Sequence, residues 1–347
     1  MAVSAPVAPR LLAVATAHPP RRFTQKEAYQ LAGYKSRRIL DIFLNSDIDY
    51  RYLYLEPEGF QPTEDPDQLH RRYREGAVQI ARAAAERCLE QAGLLPTDVD
   101  CILVCSCTGY LCPDLATILV KEMGLAPSVQ RGSLLGLGCA GALPTLQRAY
   151  DHACAYPEHR VLVVAVEICS AAYFIDDSLE TVIGNAICGD GAAACLLSVV
   201  AETGPRLRSF ASVLDTNCQS SVGFEHRQGK LRIILAPTIR DLAPPIIERA
   251  LDALLGPQGL ARKDIRFWLL HPGGRKVIDK VQAVLRLSDD ELADSRRVYR
   301  NYGNMSSATV LFVLNEVFQQ GAGQPGDLGV LLALGPGFAA EAALLEW

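Results

Sequence analysis

Apolar residues along the chain alternate between short continuous runs and stretches with helical spacing. The runs Leu11–Ala17, Val99–Cys107 and Val161–Glu167 predict buried strands, and the spacing over 25–45 and 71–92 predicts helices. Because the run that ends at Glu167 is almost continuously apolar, we expect mostly parallel sheets that helices cover on both faces. The pattern therefore predicts an α/β fold.

The order of elements in the second half of the chain repeats the order in the first. The ends of the segment Asp98–Cys139 lie 41 residues apart and those of Asp264–Asn304 lie 40 apart, and a helix-spaced stretch and an apolar strand follow each segment. We therefore predict a five-layered α-β-α-β-α sandwich made of two duplicated halves, residues 1–203 and 204–347. The two helices that follow these segments would be buried, and their starts would face one shared site.

Composition and charge narrow the possible function classes. The 34 basic and 39 acidic residues give a formal net charge of −5. The chain therefore lacks the excess of positive charge with which proteins bind nucleic acid. The apolar run at 11–17 is too short to span a bilayer, so we expect no membrane insertion. The odd total of 11 cysteines, without a C-x-x-C pair, indicates free thiols in a reducing, cytoplasmic compartment. The cluster Cys101, Cys105, Cys107 and Cys112 matches no zinc spacing, and we expect no metal site.

Cys139 is the first candidate for chemistry. An apolar run ends in Gly136, Gly138 and Gly141 around it, and helical spacing begins at Ala142, so the cysteine is predicted to lie on a strand-to-helix turn. The free N–H groups at a helix start favour negative charge, which lowers the pKa of a thiol and favours the reactive thiolate. From this segment alone, a nucleophile and a small buried residue are both open interpretations.

His271 and Asn304 add two polar side chains to the same predicted site. His271 follows the apolar strand Phe267–Leu270, and ligand-binding groups of α/β sheets gather at such carboxyl ends. A structural, hydrogen-bonded histidine and an N-capping asparagine are the alternative roles. Together with Cys139 these side chains can each take a separate role in one reaction. A thiolate accepts an acyl group, while imidazole and carboxamide N–H groups stabilise an oxyanion.

Segments spread over nearly the whole chain carry a family resemblance. They are SCTGYLCPDL from Ser106, GLGCAGA around Cys139, CGDGAAACLL from Cys188, HPGGRKVID from His271, YGNMSSATVLF from Tyr302 and LGPGF from Leu334. These segments resemble the signature segments of type III polyketide synthases, the chalcone- and stilbene-synthase-like branch of the thiolase superfamily. The resemblance implies a thiolase-like fold and a homodimer.

The resemblance also implies a reaction. A starter acyl group would be transferred from acyl-CoA to Cys139, and malonyl-CoA would lose carbon dioxide and attack the acyl-enzyme in a decarboxylative Claisen condensation. Cyclisation to a pyrone or phenolic product would follow. His271 and Asn304 would stabilise the enolate oxygen and then the oxyanion of the condensation, and an imidazolium at His271 would hold Cys139 as a thiolate. CoA thioesters are the implied substrates, and no metal or redox cofactor is implied.

Several substrate-binding positions implied by the resemblance depart from the pattern of plant relatives. Two phenylalanines that flank the passage to the cysteine in those relatives are Cys188 and Ile233 here, which should open the passage. The remaining positions are implied to line the cavity, to shape its floor or, for Cys112, to reach into the partner's pocket. They are Cys107, Thr108, Cys112, Ala172, Ser306, Gly335, Pro336 and Gly337.

The positions that hold the CoA phosphates in the family also differ. Arg38 keeps a positive charge, but Asp41 and Asn45 do not, and Asp41 would repel phosphate unless a residue such as Arg37 or Arg51 compensates. We therefore expect a bulky or long acyl starter. Delivery by an acyl carrier protein rather than by CoA is left open.

Three alternatives remain. A ketoacyl-synthase-III-like condensing enzyme acting on carrier-protein-bound chains shares the three side-chain types, although Pro272-Gly273-Gly274 and Met305-Ser306 favour the polyketide synthase. A Cys-His-Asn thiol hydrolase is disfavoured by the 138 residues that precede Cys139 and by the duplication. A non-catalytic dimer partner is disfavoured because all three chemical groups are present.

Overall fold

The computed structural model describes residues 8–56, 58, 60 and 62–347, so the first seven residues of the predicted N-terminal half lie outside it. Within these residues the chain forms thirteen strands. They are β1 Arg10–Ala17, β2 Arg22–Thr24, β3 Tyr50–Tyr52, β4 Cys101–Ser106, β5 Gln130–Leu135, β6 Val161–Glu167, β7 Gly191–Ser198, β8 Arg206–Leu214, β9 Val222–Arg227, β10 Lys230–Leu235, β11 Ile265–Leu270, β12 Leu328–Gly335 and β13 Ala339–Glu346.

The described residues also form ten α-helices. These are α1 Gln25–Leu31, α2 Arg37–Leu44, α3 Pro66–Ala92, α4 Leu115–Met123, α5 Ala142–Ala155, α6 Leu179–Ile187, α7 Ile239–Leu255, α8 Arg275–Leu285, α9 Ala293–Tyr302 and α10 Thr309–Gln320. The single helix predicted over 25–45 is wrong, because Gly33 turns the chain with a φ of 75° between α1 and α2. Helix α3 begins before the predicted residue 71, because Asp65 and Gln68 form a capping box and Pro66 occupies the first turn.

Nine of these strands form one large sheet, in the order β11-β12-β13-β8-β1-β7-β6-β4-β5. We call β1, β4, β5, β6 and β7 the N-sheet, and β8, β11, β12 and β13 the C-sheet; the pair Arg10–Arg206 joins them. In the N-sheet β4 is parallel to β6, β6 is antiparallel to β7, and β7 is antiparallel to β1. Strands β11, β12, β13 and β8 repeat this pattern in the same order. The repeat predicted from the sequence is therefore present in the strand pairing, while the boundary between residues 203 and 204 stays a prediction. The expectation of mostly parallel sheets is wrong, because five of the eight pairings in the large sheet are antiparallel and three are parallel.

Three apolar cores separate the layers of helices and sheets. One core packs α3 and α4 against the N-sheet, with Ala77, Leu119 and Val164 among its buried residues. A second core lies between the two sheets and holds α5 and α10, with Leu146 and Leu311 among its buried residues. The third packs α7 and α8 against the C-sheet. The result is the predicted α-β-α-β-α order, in which α5 and α10 are the central layer.

Helices α5 and α10 start at the same place in this central layer. The turn Gly138–Ala140 precedes α5, the turn Ser306–Ala308 precedes α10, and the two turns contact each other. The prediction that both helix starts face one shared site is therefore confirmed. None of the described helices is both long enough and apolar enough to cross a membrane.

Candidate active site

Cys139 lies on a tight turn between β5 and α5. The chain leaves β5 at Leu135 and passes Gly138 with a φ of 52°, which a residue with a side chain rarely adopts. A Cβ at Gly138 would lie 2.4 Å from Pro336, and a Cβ at Gly335 would lie 2.7 Å from the Cβ of Ala140. The glycines therefore let the end of β12 approach the cysteine-bearing turn closely. The role of the Gly335-Pro336-Gly337 segment in shaping the cavity floor stays a prediction.

Asn304 meets Cys139 from the other helix start. The Cys139 Sγ donates to Asn304 Oδ1 at 3.8 Å, and the backbone N–H of Ser306 donates to the same oxygen at 2.8 Å. Because the amide oxygen is held by Ser306, the Nδ2 group is the donor that Asn304 can offer to a substrate oxygen. The structure therefore brings two of the three predicted catalytic residues into contact.

The backbone of Asn304 is fixed by a short bridge to residues before β7. Asn304 and Cys188 form a parallel β-bridge. The N–H of Asn304 donates to the carbonyl of Ile187 at 2.8 Å, and the N–H of Gly189 donates to the carbonyl of Asn304 at 2.9 Å. We call this the 188–304 bridge. It sets the position of the carboxamide before any substrate enters.

His271 lies at the carboxyl end of β11, as predicted. Its backbone N–H donates to the carbonyl of Leu332 in β12 at 2.8 Å, and β12 continues to Gly335 beside the Cys139 turn. Both imidazole nitrogens are buried and have no hydrogen-bond partner among the described residues. The ring is thus held at the same end of the C-sheet as the cysteine turn, with unused donor and acceptor capacity.

The electrostatics of the site differ from the sequence-based prediction. Burial raises the pKa of the Cys139 thiol to about 12, with a hydrogen bond to Ser306 opposing part of the rise. Burial lowers the pKa of His271 to about 4. Burial thus disfavours both the thiolate of Cys139 and the imidazolium of His271. The predicted thiolate–imidazolium pair stays a prediction.

Glu167 is the main polar residue of the site that the sequence analysis missed. It is fully buried at the end of β6. One carboxylate oxygen accepts from the backbone N–H groups of Cys107 and Thr108 at 3.0 and 3.1 Å, and the other accepts from Ser307 Oγ at 2.6 Å. Glu167 therefore ties the chain after β4 to the start of α10. The sequence could have indicated Glu167, because it is an acidic residue at the end of an otherwise apolar strand.

Three of the predicted cavity residues have side chains in internal hydrogen bonds. The Thr108 hydroxyl donates to Glu167 at 2.9 Å and accepts from the N–H of Ile168 at 2.9 Å. The Cys107 Sγ and Ser306 Oγ lie 3.2 Å apart. Ser306 thus contacts both Cys107 and, through its backbone, Asn304. The structure places Cys107 and Ser306 beside the catalytic pair and gives Thr108 a supporting position.

The remaining predicted positions lie around this centre. Cys188 is half-buried and opposite Asn304, and Ala172 is buried in the turn after β6. Ile233 lies on β10 and packs against α6, where a Cβ at Gly184 would come within 2.6 Å of its Cγ2. Cys112 is exposed. Their contacts with substrate stay predictions.

The predicted CoA-phosphate positions lie on α2. Arg38 is exposed, and Asp41 forms an ion pair with Arg37, with 3.2 Å between Asp41 Oδ1 and Arg37 Nε. Asn45 donates from its side chain to the Asp41 carbonyl at 2.7 Å. Arg37 therefore compensates the negative charge. Arg51, the other basic residue considered, is fully buried and does not reach this surface.

The described residues contain no cluster of three or more His, Cys, Asp or Glu side chains that could hold a metal ion. In particular, the sequence cluster from Cys101 to Cys112 is dispersed: Cys101 and Cys105 are buried in the sheet, whereas Cys112 is exposed. The polar groups at the centre are instead a thiol, an imidazole and a carboxamide, which form and stabilise acyl intermediates.

Comparison with known proteins matches both parts of the chain to one family. The N-terminal domain of chalcone and stilbene synthases matches residues 64–201, and the C-terminal domain of the same family matches residues 215–346. The 3,5-dihydroxyphenylacetyl-CoA synthase of Amycolatopsis balhimycina is 35% identical over 347 residues, which cover 97% of this chain and 93% of the relative.

Solved structures agree with this match. The 1,3,6,8-tetrahydroxynaphthalene synthase of Streptomyces coelicolor A3(2), a bacterial type III polyketide synthase, superimposes with a TM-score of 0.91 at 29% identity, covering 97% of this chain and 99% of that one. PKS-I of the brown alga Ectocarpus siliculosus superimposes with a TM-score of 0.91 at 30% identity, covering 99% of both chains. The chain therefore belongs to the chalcone and stilbene synthase family and is a type III polyketide synthase, a condensing acyltransferase with the thiolase-like fold.

Proposed function

We propose that this enzyme loads an acyl starter on Cys139 and extends it with malonyl-CoA by decarboxylative Claisen condensation. The observation that carries the proposal is the 3.8 Å contact between Cys139 Sγ and Asn304 Oδ1 at two facing helix starts. A thiol forms the thioester, and a carboxamide held beside it stabilises negative charge on the thioester oxygen. His271 supplies the second donor from the end of β11.

The first step is transfer of the starter. The neutral Cys139 thiol gives its proton to the neutral His271 imidazole as the sulfur attacks the carbonyl carbon of the acyl thioester. A new carbon–sulfur bond forms, the bond to the carrier sulfur breaks, and the carrier thiolate takes the proton back. The product is an acyl group on Cys139 and a free carrier thiol.

The second step is decarboxylation and condensation. The malonyl carboxylate leaves as carbon dioxide, and its bonding electrons form an enolate whose oxygen accepts from His271 and from Asn304 Nδ2. The enolate carbon then attacks the acyl carbonyl, and the same donors stabilise the new oxyanion until the Cys139 thiolate leaves. No metal or redox cofactor takes part in these steps.

We propose CoA thioesters as the substrates. Arg38 is exposed on α2, and the Arg37–Asp41 ion pair weakens the repulsion that Asp41 would exert on phosphate. Delivery by an acyl carrier protein is tested with matched acyl-CoA and acyl-carrier thioesters of one chain length. A clear preference for CoA would eliminate the carrier route.

We propose a bulky or long starter and a cyclised pyrone or phenolic product. Cys188 and Ile233 are smaller than the phenylalanines expected at the passage to the cysteine, and both keep part of their surface accessible. The 11 cysteines, free in the structure, support a reducing, cytoplasmic location for the enzyme.

We also propose a homodimer that forms through the open edge of the N-sheet. Strand β5 is the last strand of the sheet in the described chain, and Leu135 at its end is 49% exposed. The segment before α4 adds Tyr110, 65% exposed, and Cys112 to the same side, because Ser133 of β5 donates to Asp114. An apolar edge of this kind is normally covered. Sedimentation equilibrium should give the dimer mass, and Leu135→Asp should give the monomer.

The central experiment measures the intact protein mass after incubation with malonyl-CoA and a panel of acyl thioesters. We expect an acyl adduct and a new ketide for the wild type and for the control Cys218→Ala, which removes a half-buried cysteine outside the site. Cys139→Ala should give neither. Unchanged mass and no carbon dioxide release with every thioester would contradict the proposed function.

A further inference from the structure

Arg51 is a fully buried arginine with almost no polar partners. It lies on β3 with no exposed surface, and its Nη1 donates to the carbonyl of Cys188 at 2.7 Å. Among the described residues, its Nε and Nη2 have no hydrogen-bond partner, and no carboxylate forms an ion pair with it. An arginine side chain keeps its positive charge in proteins, and burying such a charge without an anionic partner is costly. A residue kept under these conditions calls for an explanation.

The surroundings of Arg51 connect it to Asn304. Cys188, whose carbonyl it binds, is the residue opposite Asn304 in the 188–304 bridge. The Arg51 side chain also packs between the two glycines that flank the bridge: a Cβ at Gly189 would lie 3.4 Å from the Arg51 Cβ, and one at Gly303 would lie 3.7 Å from it. The guanidinium and its stem therefore fill the space behind the bridge.

Strand β3 is itself tied to the same segment. The N–H of Asp190 donates to the carbonyl of Tyr52 at 2.8 Å, and the N–H of Tyr54 donates to an Asp190 carboxylate oxygen at 2.6 Å. These bonds fix the backbone on both sides of Arg51 relative to the segment that carries Cys188. The hydrogen bond to the Cys188 carbonyl consequently has little freedom to move.

We propose that Arg51 is a positioning residue for Asn304, acting through the carbonyl of Cys188 and the 188–304 bridge. This inference rests on the proposed function, in which the Asn304 carboxamide stabilises the enolate oxygen. A displacement of the Asn304 carboxamide by up to about one ångström strongly weakens its stabilisation of the enolate oxygen. Starter loading, in contrast, depends mainly on the position of the Cys139 turn. Arg51 should therefore affect decarboxylation more than loading.

The test is a double-mutant cycle between Arg51 and Asn304. Arg51→Lys and Arg51→Gln are each made in the wild type and in Asn304→Ala. With Asn304 present, we expect malonyl-CoA decarboxylation to fall roughly 10- to 100-fold, with starter loading on Cys139 within about 2-fold of the wild type. With alanine at position 304, the same Arg51 changes should lower decarboxylation by less than about 2-fold.

Arg72→Gln is the matched control. Arg72 is also largely buried and also donates to a backbone carbonyl, that of Ser170, at 2.9 Å, but it has the ion-pair partner Glu64 and does not contact the 188–304 bridge. Decarboxylation should stay within about 3-fold of the wild type in this variant. Thermal unfolding of all variants shows whether loss of a buried arginine alone explains the result.

A second readout does not depend on polyketide chemistry. Cys139 donates to Asn304 Oδ1, so a displaced carboxamide should change the rate at which iodoacetamide alkylates Cys139 across a pH series by about 3-fold. This change should disappear in the Asn304→Ala background. Equal effects of Arg51→Lys in both backgrounds, or a loss of loading as large as the loss of decarboxylation, would overturn the inference. Absence of wild-type decarboxylation would instead contradict the proposed function, and the alkylation series would still decide the inference.

Discussion

The two helix starts at the active site are supported in different ways. The turn of Cys139 follows β5, which is a paired strand of the N-sheet. The segment of Asn304 follows helix α9, and the described part of the C-sheet has no strand in the place that β5 holds in the N-sheet. Asn304 is instead held by the 188–304 bridge, in which its partner Cys188 belongs to the other half of the structure.

The two halves of the duplicated fold therefore position their catalytic side chains through different contacts. The nucleophile is held by the sheet that leads to it, so its position is largely a local property of β5 and α5. The carboxamide is held across the two halves, so its position depends on the packing of Cys188, Gly189 and Arg51. We expect changes near Cys139 to affect every step, and changes near Asn304 to affect mainly the steps that form the enolate and use it.

The largest expected effect comes from Asn304→Ala, which removes the cross-half donor and leaves the sheet-supported nucleophile. Decarboxylation of malonyl-CoA should fall about 10²- to 10³-fold, because one donor to the enolate oxygen is lost. Loading of Cys139, followed by intact mass, should change by less than about 10-fold. Equal losses in loading and decarboxylation would show that the two helix starts do not have separate tasks.

Part of this arrangement could be predicted from the sequence. Cys139, His271 and Asn304 were identifiable because each side chain is distinctive and each lies at the end of a pattern: an apolar run, a strand or the start of a helix. The duplication was visible because equal spacings recur. The five layers follow from that repeat, since apolar strands and two buried helices can be covered only by stacking.

The supporting residues were not visible, because their role depends on contacts between distant parts of the chain. Glu167 and Ser307 lie 140 positions apart, and Arg51 and Cys188 lie 137 apart. In the sequence, Arg51 was a candidate for neutralising Asp41 on the surface, yet it is fully buried. The ionisation of Cys139 was also misjudged. The turn suggested a lowered thiol pKa, whereas the depth of the site, which no local pattern encodes, raises it.

The next largest effect should come from protonation of His271, the buried histidine at the end of β11 in the C-sheet. Its pKa in the folded protein is about 4, against 6.5 for an unburied histidine, so the unfolded chain binds the proton first as pH falls. The stabilisation from keeping the ring neutral is complete above about pH 6.5 and is lost as pH falls through about 4; it amounts to about 3 kcal/mol at most.

Thermal unfolding between pH 4 and pH 7 measures this effect. His271→Gln should flatten the decline of the unfolding midpoint toward low pH, while His70→Gln, a change at an exposed histidine, should leave the decline unchanged. An identical pH dependence in the wild type and in His271→Gln would show that the imidazole is not held neutral by burial.

A smaller effect is expected where the C-sheet touches the cysteine turn. In Gly335→Ala the new methyl group would lie 2.6 Å from the carbonyl oxygen of Leu137 and 2.7 Å from the Cβ of Ala140, so the turn must move. Such overpacking costs about 1–3 kcal/mol of folding free energy, and loading of Cys139 should slow with it. Gly223→Ala is the control, because a Cβ there meets nothing within 4 Å. Normal stability and loading in Gly335→Ala would mean that the contact between the halves is not restrictive.

The smallest effect is expected at the exposed face of α2, which carries Arg37 and Asp41. Arg37→Ala frees Asp41, whose charge then opposes the phosphates of a CoA thioester, and exposed ion pairs contribute no more than about 1 kcal/mol. The KM for CoA thioesters should rise about 2- to 5-fold at low salt, less at high salt, with kcat unchanged. Combining Arg37→Ala with Asp41→Ala should restore the KM, because both charges of the pair are then gone. A fall in kcat, or a rise in KM that the second substitution does not reverse, would place Arg37 in the reaction rather than in substrate capture.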